Sequence, residues 1–343
     1  MQRRQDRYKR GPVFHFVRGF VNFFRSYRKW SNKGFVAILL LAVALSMGLI
    51  LLFESFQGIP LTSQKKDTIS QEANKTNQNA KDQEEEKTAR IMANGDLLYH
   101  IPIYRSALKE DGTYDFHENF DYVKPWLKQA DLIIGDFEGT VNKDHYLAGY
   151  PLFNAPGEVM DAIKDAGYQV LDLAHNHILD SQIEGVVSTA DAIEKAGMTP
   201  IGVYTHESRD QAPLVIKEVN GIKVALLAYS YGFNGIEQSI SQEDYNRYLS
   251  DLNEDKMKAE IERAEKEADI TIIMPQMGVE YRLEPTEEQK ALYHKMIDWG
   301  ADIIFGGHPH VVEPSETVEK DGDKKLIILS LIHISEPTRH SLI

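Results

Sequence analysis

The sequence predicts an α/β domain with mixed β-sheets, preceded by one transmembrane helix. Three observations point there. A 19-residue uncharged apolar run, Phe35–Phe53, precedes a long polar stretch. Beyond Arg90, short apolar runs alternate with amphipathic segments of helical period. The phrase "helix, small residue, strand" recurs as QADLIIGD, DAGYQVLDLAH, KEADITIIMPQ and DWGADIIFGGH, which is the βα alternation of a largely buried sheet.

Residues 1–34 carry ten Lys or Arg and one acid, Asp6. Translocating that excess is unfavourable, so this tail is expected to stay cytoplasmic. Its aromatics, Phe14 to Trp30, suit an anionic leaflet surface, although an ordinary positive-inside flank explains them as well. Residues 35–53, FVAILLLAVALSMGLILLF, span about 28 Å as a helix, close to a bilayer core. A cleaved signal peptide has a shorter apolar region and a small-residue cleavage site, and no such site is clear here. The expected localisation is the cell membrane, single-pass, with the C-terminal domain extracytoplasmic. Residues 54–89 are rich in Gln, Lys, Asn, Asp and Glu without apolar periodicity. They are expected to form a disordered linker that holds the next domain off the membrane.

The chain has a net charge of −14 and no cysteine. The tail carries +9 of that balance, so the remainder stands at −23. An acidic outer domain argues against nucleic acid as a partner.

Within residues 90–329, strands are expected at Arg90–Asn94, Leu132–Ile134, Val170–Leu173, Val224–Tyr229, Ile270–Met274 and Ile303–Phe305. Asn220-Gly221 between Val215–Val219 and Lys223–Leu227 predicts a hairpin. Ile183, Val186, Val187, Ala190 and Ile193 line one helix face, with Gly197 as its stop. Thr286 and Gln289 form a capping box for a helix that Gly300 ends.

Polar side chains follow these apolar strands: Asp96, then Asp136 with Glu138, then His175-Asn176-His177, then Gln276, then His308-Pro309-His310. The carboxyl ends of strands in an α/β sheet gather at one edge, so residues over 200 positions apart can converge. Asp, Asn and His suit a divalent Mn, Fe, Zn or Mg ion. An extended His-Pro-His would place both imidazoles near one face, and Gly306-Gly307 would allow close backbone approach. Asp180 can cap the following helix. His175 can support the motif from behind. His100, His117, His145, His206 and His294 read as surface residues, and Tyr229 and Tyr231 as hairpin packing.

GDFEGT, AHNHILD, GVEY and GGHPHV, in this order, resemble the poly-γ-glutamate capsule synthesis (CapA-type) family. The resemblance covers about 90–329. It implies the calcineurin-like metallophosphoesterase fold: a βα sandwich of two sheet layers flanked by helices, with a metal centre at the strand ends. It implies metal ligation by Asp96, Asp136, Asn176, His308 and His310, with His177, Asp136 and Glu138 as catalytic groups. It implies an envelope polymer such as poly-γ-glutamate as substrate, and other membrane subunits of a synthesis complex as partners. Either a metal-dependent hydrolase or transferase, or a non-catalytic accessory subunit, fits that setting. Two departures bear on the choice. The phosphoesterase pattern has His two residues after the first Asp, where this chain has Leu98; the capsule family often has His where Gln276 stands. Finally, Ser330 onward (SLIHISEPTRH) resembles translated sequencing-adapter read-through. Residues 330–343 are therefore expected to be non-native, leaving a sheet edge exposed near Lys325–Leu329.

Overall fold

The structure, a computed structural model, describes residues 86–331. The expected tail, transmembrane helix, nearly all of the linker and most of 330–343 lie outside the described residues. Among the described residues, no helix is long and apolar enough to cross a membrane.

Two sheets form the domain. The first holds β1 (Ile91–Asp96), β2 (Leu132–Asp136), β3 (Val170–Asp172) and β4 (Thr199–Ile201) in that spatial order, every pair parallel. The second runs β5 (Val215–Val219), β6 (Ile222–Ser230), β7 (Ile270–Gln276), β8 (Ile303–Phe305), β10 (Asp323–Ile328), β9 (Ser315–Lys320). Its four inner strands are parallel and its two edge strands antiparallel, so this sheet is mixed. The β5–β6 turn is the expected one: Asn220 (φ 52°) and Gly221 (φ 75°) both take the left-handed conformation that a two-residue hairpin turn requires.

Alternation along the strands divides the core into three layers. Leu132, Ile134 and Val170 face Val224, Leu226, Ile272 and Met274 between the sheets. Ile133 and Leu171 point the other way, onto α3 (Val159–Ala166) and α4 (Gln182–Lys195), while α1 (Ile101–Ala107) and α2 (Lys124–Leu127) fill the β1–β2 crossover. Ala225, Leu227, Ile273 and Ile304 cover the second sheet's outer side with α6 (Glu254–Glu267) and α7 (Glu287–Trp299); α5 (Gln242–Tyr248) precedes them. The result is helix–sheet–sheet–helix. A fully buried residue such as Ile134 contributes about 2–5 kcal/mol, judged by truncation to Ala.

Helix ends follow the sequence closely. The Thr286–Gln289 capping box opens α7 and Gly300 closes it; Gly197 (φ 76°) follows α4. Asp180 does not cap α4, whose N-cap is Ser181 with no side-chain bond. The expected sheet edge is also corrected: β10 is flanked by β8 and β9, so Lys325–Ile328 is interior, and β9 is the edge among the described residues. Ser330 is fully buried, and Leu331 donates its N–H to the Gly306 carbonyl (2.9 Å), so both are integrated into the domain. At the other end, Lys87 Nζ donates to the Gly221 carbonyl, and Asn220 Nδ2 to that of Thr88. These residues lie against the β5–β6 turn rather than free in the linker.

Candidate metal centre

Three aspartates share one rung of the parallel sheet. Asp96 pairs in register with Asp136, and Asp136 with Asp172, at the carboxyl ends of β1, β2 and β3. All three are buried. Glu138, two residues past Asp136, is buried as well, while Phe137 between them points into the outer core. Asp172 has no place among the sequence-based site residues; read as part of an apolar run, its position as the third strand-terminal Asp is the signal that would have found it.

The second sheet supplies the opposing wall. His310 Nδ1 lies 2.6 Å from Asp96 Oδ2. A side chain at Gly306 would collide with the Leu329 carbonyl, so close backbone approach requires that glycine, while one at Gly307 would come within a tight 3.3 Å of Asp136 Oδ2. The His-Pro-His segment is not extended, contrary to expectation. His308 (φ 94°) and His310 (φ 55°) are both left-handed, and their ring centroids stand 6.1 Å apart. Such backbone costs on the order of 1–2 kcal/mol per residue and persists where the surroundings impose it.

Gln276 bridges the sheets: its Oε1 accepts the Asn176 N–H at 2.8 Å. The Asn176 amide donates to Asn234 Oδ1 (3.2 Å), and Asn234 Nδ2 stands 3.4 Å from the His177 ring. His177 Nδ1 is 2.7 Å from Asp180 Oδ2, and its Nε2 is 3.8 Å from Glu138 Oε1. His175 lies behind, its Nδ1 accepting the His177 N–H at 3.2 Å. Tyr231 is not hairpin packing, since its half-exposed ring lies tilted against His308 with centroids 4.5 Å apart; Tyr229 is core. Asn234 and Tyr231 sit on the loop after β6, where no motif marks them. The structure thus brings Asp96, Asp136, Glu138, Asn176, His177, His308 and His310 together. His117, His206 and His294 instead pair with surface acids.

Electrostatics are lopsided. Burial, then Asp172, Asp96 and Glu138, hold the Asp136 carboxyl well above its ordinary range. Burial and then Asp96 do the same to Glu138. Burial is the main cause that pushes Asp172 up to about 8, against the hydrogen bond it accepts from Ala174. Burial, with His310 beside it, lowers His308 to about 4 and so keeps it a neutral donor of lone pairs. Among the described residues, Asp96 Oδ1, Asp136 Oδ1, both Glu138 oxygens, Asn176 Oδ1 and His308 Nδ1 are buried with no hydrogen-bond partner. So many convergent lone pairs without donors are costly unless a cation takes them. Three carboxyl groups, an amide oxygen and an imidazole fit a hard-to-borderline divalent ion.

The family model described as Bacterial capsule synthesis protein PGA_cap matches residues 90–331. The Capsule biosynthesis protein CapA of Bacillus anthracis is 34% identical over 212 residues, covering 59% of this chain and 50% of that protein. The PGA biosynthesis protein CapA of Bacillus subtilis (strain 168) is 29% identical over 201 residues, covering 57% and 52% respectively. The chain therefore spans about half the length of the curated relatives it matches. A Staphylococcus aureus structure described as a candidate 5′-nucleotidase in complex with alpha-ketoglutarate overlaps with TM-score 0.45 and 15% identity, covering 71% of this chain and 48% of that one.

Proposed function

The chain belongs to the bacterial capsule synthesis protein family PGA_cap, and from that premise we propose a membrane-anchored, extracytoplasmic protein of capsule or poly-γ-glutamate synthesis. Its strand-end centre is a metal-dependent hydrolase or transferase site acting on an envelope polymer. The observation that carries this reading is the set of buried, donorless lone pairs on Asp96, Asp136, Glu138, Asn176 and His308. Asp96, Asp136, Asn176, His308 and His310 would hold a divalent Mn, Fe, Zn or Mg ion. That ion supplies Lewis acidity when bound. His177, with Nδ1 tied to Asp180, presents Nε2 to stabilise charge or move a proton. Gln276 and Asn234 orient Asn176 and His177. The half-exposed Tyr231 borders the mouth. An outer region of −23 repels a polyanion, so a cation-loaded site is the means by which it would hold one. The partners in this reading are the membrane, the polymer and other membrane subunits of the synthesis complex.

A second reading has one specific observation behind it. Leu98 and Gln276 stand where the resemblance expects imidazoles, and the Gln276 carboxamide is engaged in holding Asn176. On this reading the domain is a non-catalytic accessory that binds the polymer or the synthesis complex. Complementation separates the two. A strain lacking the gene and supplied with Asp136→Ala plus His177→Ala should make no polymer if the site is catalytic. Normal polymer production would leave the accessory role.

A further inference from the structure

We infer that Glu138 is a cation ligand rather than a reacting group: with Asp96 and His310 it forms an oxygen-weighted subsite for a divalent ion of the Mn2+ or Mg2+ kind. The inference rests on the metal-centre reading.

Ligand-capable atoms of Asp96, Glu138 and His310 all lie within 4.8 Å of one another. The alternation of an extended chain brings this about: Asp136 and Glu138 share one side of β2's end, while Phe137 takes the other. On β1, the residue two beyond Asp96 is Leu98, which has no donor atom. That strand therefore gives one ligand, and its neighbour β2 brings the second carboxylate.

Two features separate a ligand from a general acid. First, the Glu138 side chain is 0% exposed, so it has no open path to a polymer arriving at the mouth; a reacting acid must come within hydrogen-bond reach of its substrate. Second, among the described residues neither oxygen meets an N–H or hydroxyl donor, the facing group is the Asp96 carboxyl, and His177 Nε2 stands 3.8 Å off, beyond a hydrogen bond. Two carboxylates this close in a dry site repel unless something positive lies between them. A bound cation relieves both the repulsion and the missing donors. Two carboxylates and one imidazole favour a harder ion than a nitrogen-dominated set does.

The test is a calorimetric titration of the metal-stripped full chain with MnCl2, comparing wild type with Glu138→Gln, Asp96→Asn and, as an exposed control on the outer face of α6, Glu262→Gln. Thermal unfolding without metal shows whether each variant folds. Glu138→Gln, which removes buried like charge, should be at least as stable as wild type, and Glu138→Asp serves should it not fold. Residues that merely support a ligand alter metal affinity by about 10–100-fold. A loss above about 100-fold in Glu138→Gln, with Glu262→Gln unchanged, is the expected result. A smaller loss in Glu138→Gln alongside a large one in Asp96→Asn would overturn the ligand role of Glu138 and leave the metal centre standing. No loss in either variant would overturn both.

Discussion

Asp180 Oδ2 lies 2.7 Å from His177 Nδ1 and 2.6 Å from the backbone nitrogen of Phe153. One buried oxygen thus orients the imidazole and anchors the loop whose Phe153 ring packs edge-on against it, 4.7 Å away. Asp180→Ala should free the ring and leave the Phe153 N–H without an acceptor. The expected cost is about 1–3 kcal/mol of stability. Urea unfolding measures the loss, and 15N NMR of the imidazole should show the fixed tautomer replaced by a mixture. Unchanged stability and an unchanged tautomer would remove Asp180 from this role.

The acid rung makes the metal-free protein pH-sensitive. Asp172 has its folded pKa raised to about 8 from 3.8, so its contribution is fully present below 3.8 and is lost as pH rises through about 8. Asp136 and Glu138 shift in the same direction. His308 runs the other way: lowered from 6.5 to about 4, its contribution is fully present above 6.5 and is lost as pH falls through about 4. The window from 6.5 to about 8 therefore isolates the acids. Tm of the metal-free protein should fall across it, and Asp172→Asn should flatten the slope. A flat wild-type profile in that window contradicts the raised carboxyls.

The β5–β6 turn tests the fold apart from the site. Gly221 sits at φ 75°, where an L side chain is strained. Gly221→Ala should cost about 1–2 kcal/mol and leave metal content untouched. Thermal denaturation with parallel metal analysis checks both expectations.

Topology has its own test. Protease added to intact cells should cut within residues 54–85, whose composition cannot bury a core. Lys87 and Thr88, held against the β5–β6 turn, should resist. Protection of the whole 54–85 stretch would reverse the orientation inferred from the basic tail.

Some of this architecture is legible in the sequence because it is local. Apolar runs mark β2, β6, β7 and β8, Asn220-Gly221 marks a turn, and Thr286 with Gln289 marks a helix start; the structure has each of them. β4 and β9 lack that signal. Thr199–Ile201 is three residues around a Pro, and Ser315–Lys320 is an edge strand that alternates polar with half-buried residues. The site divides similarly. Asp96, Asp136, Asn176, His177, His308 and His310 each end a readable strand or motif. Asp172 is hidden by the apolar residues around it, Asn234 and Tyr231 reach the centre from an unmarked loop, and the left-handed His308 and His310 are imposed by tertiary packing.

The most direct measurement is the divalent-metal content of the purified full chain, by elemental analysis, for wild type and His308→Ala. His308 is buried, neutral and without a hydrogen-bond partner at Nδ1, so its loss should remove a ligand and little else. At least one divalent ion per wild-type chain, falling sharply in His308→Ala, is the predicted result. Substoichiometric metal that does not change with His308→Ala would contradict a metal centre at these strand ends.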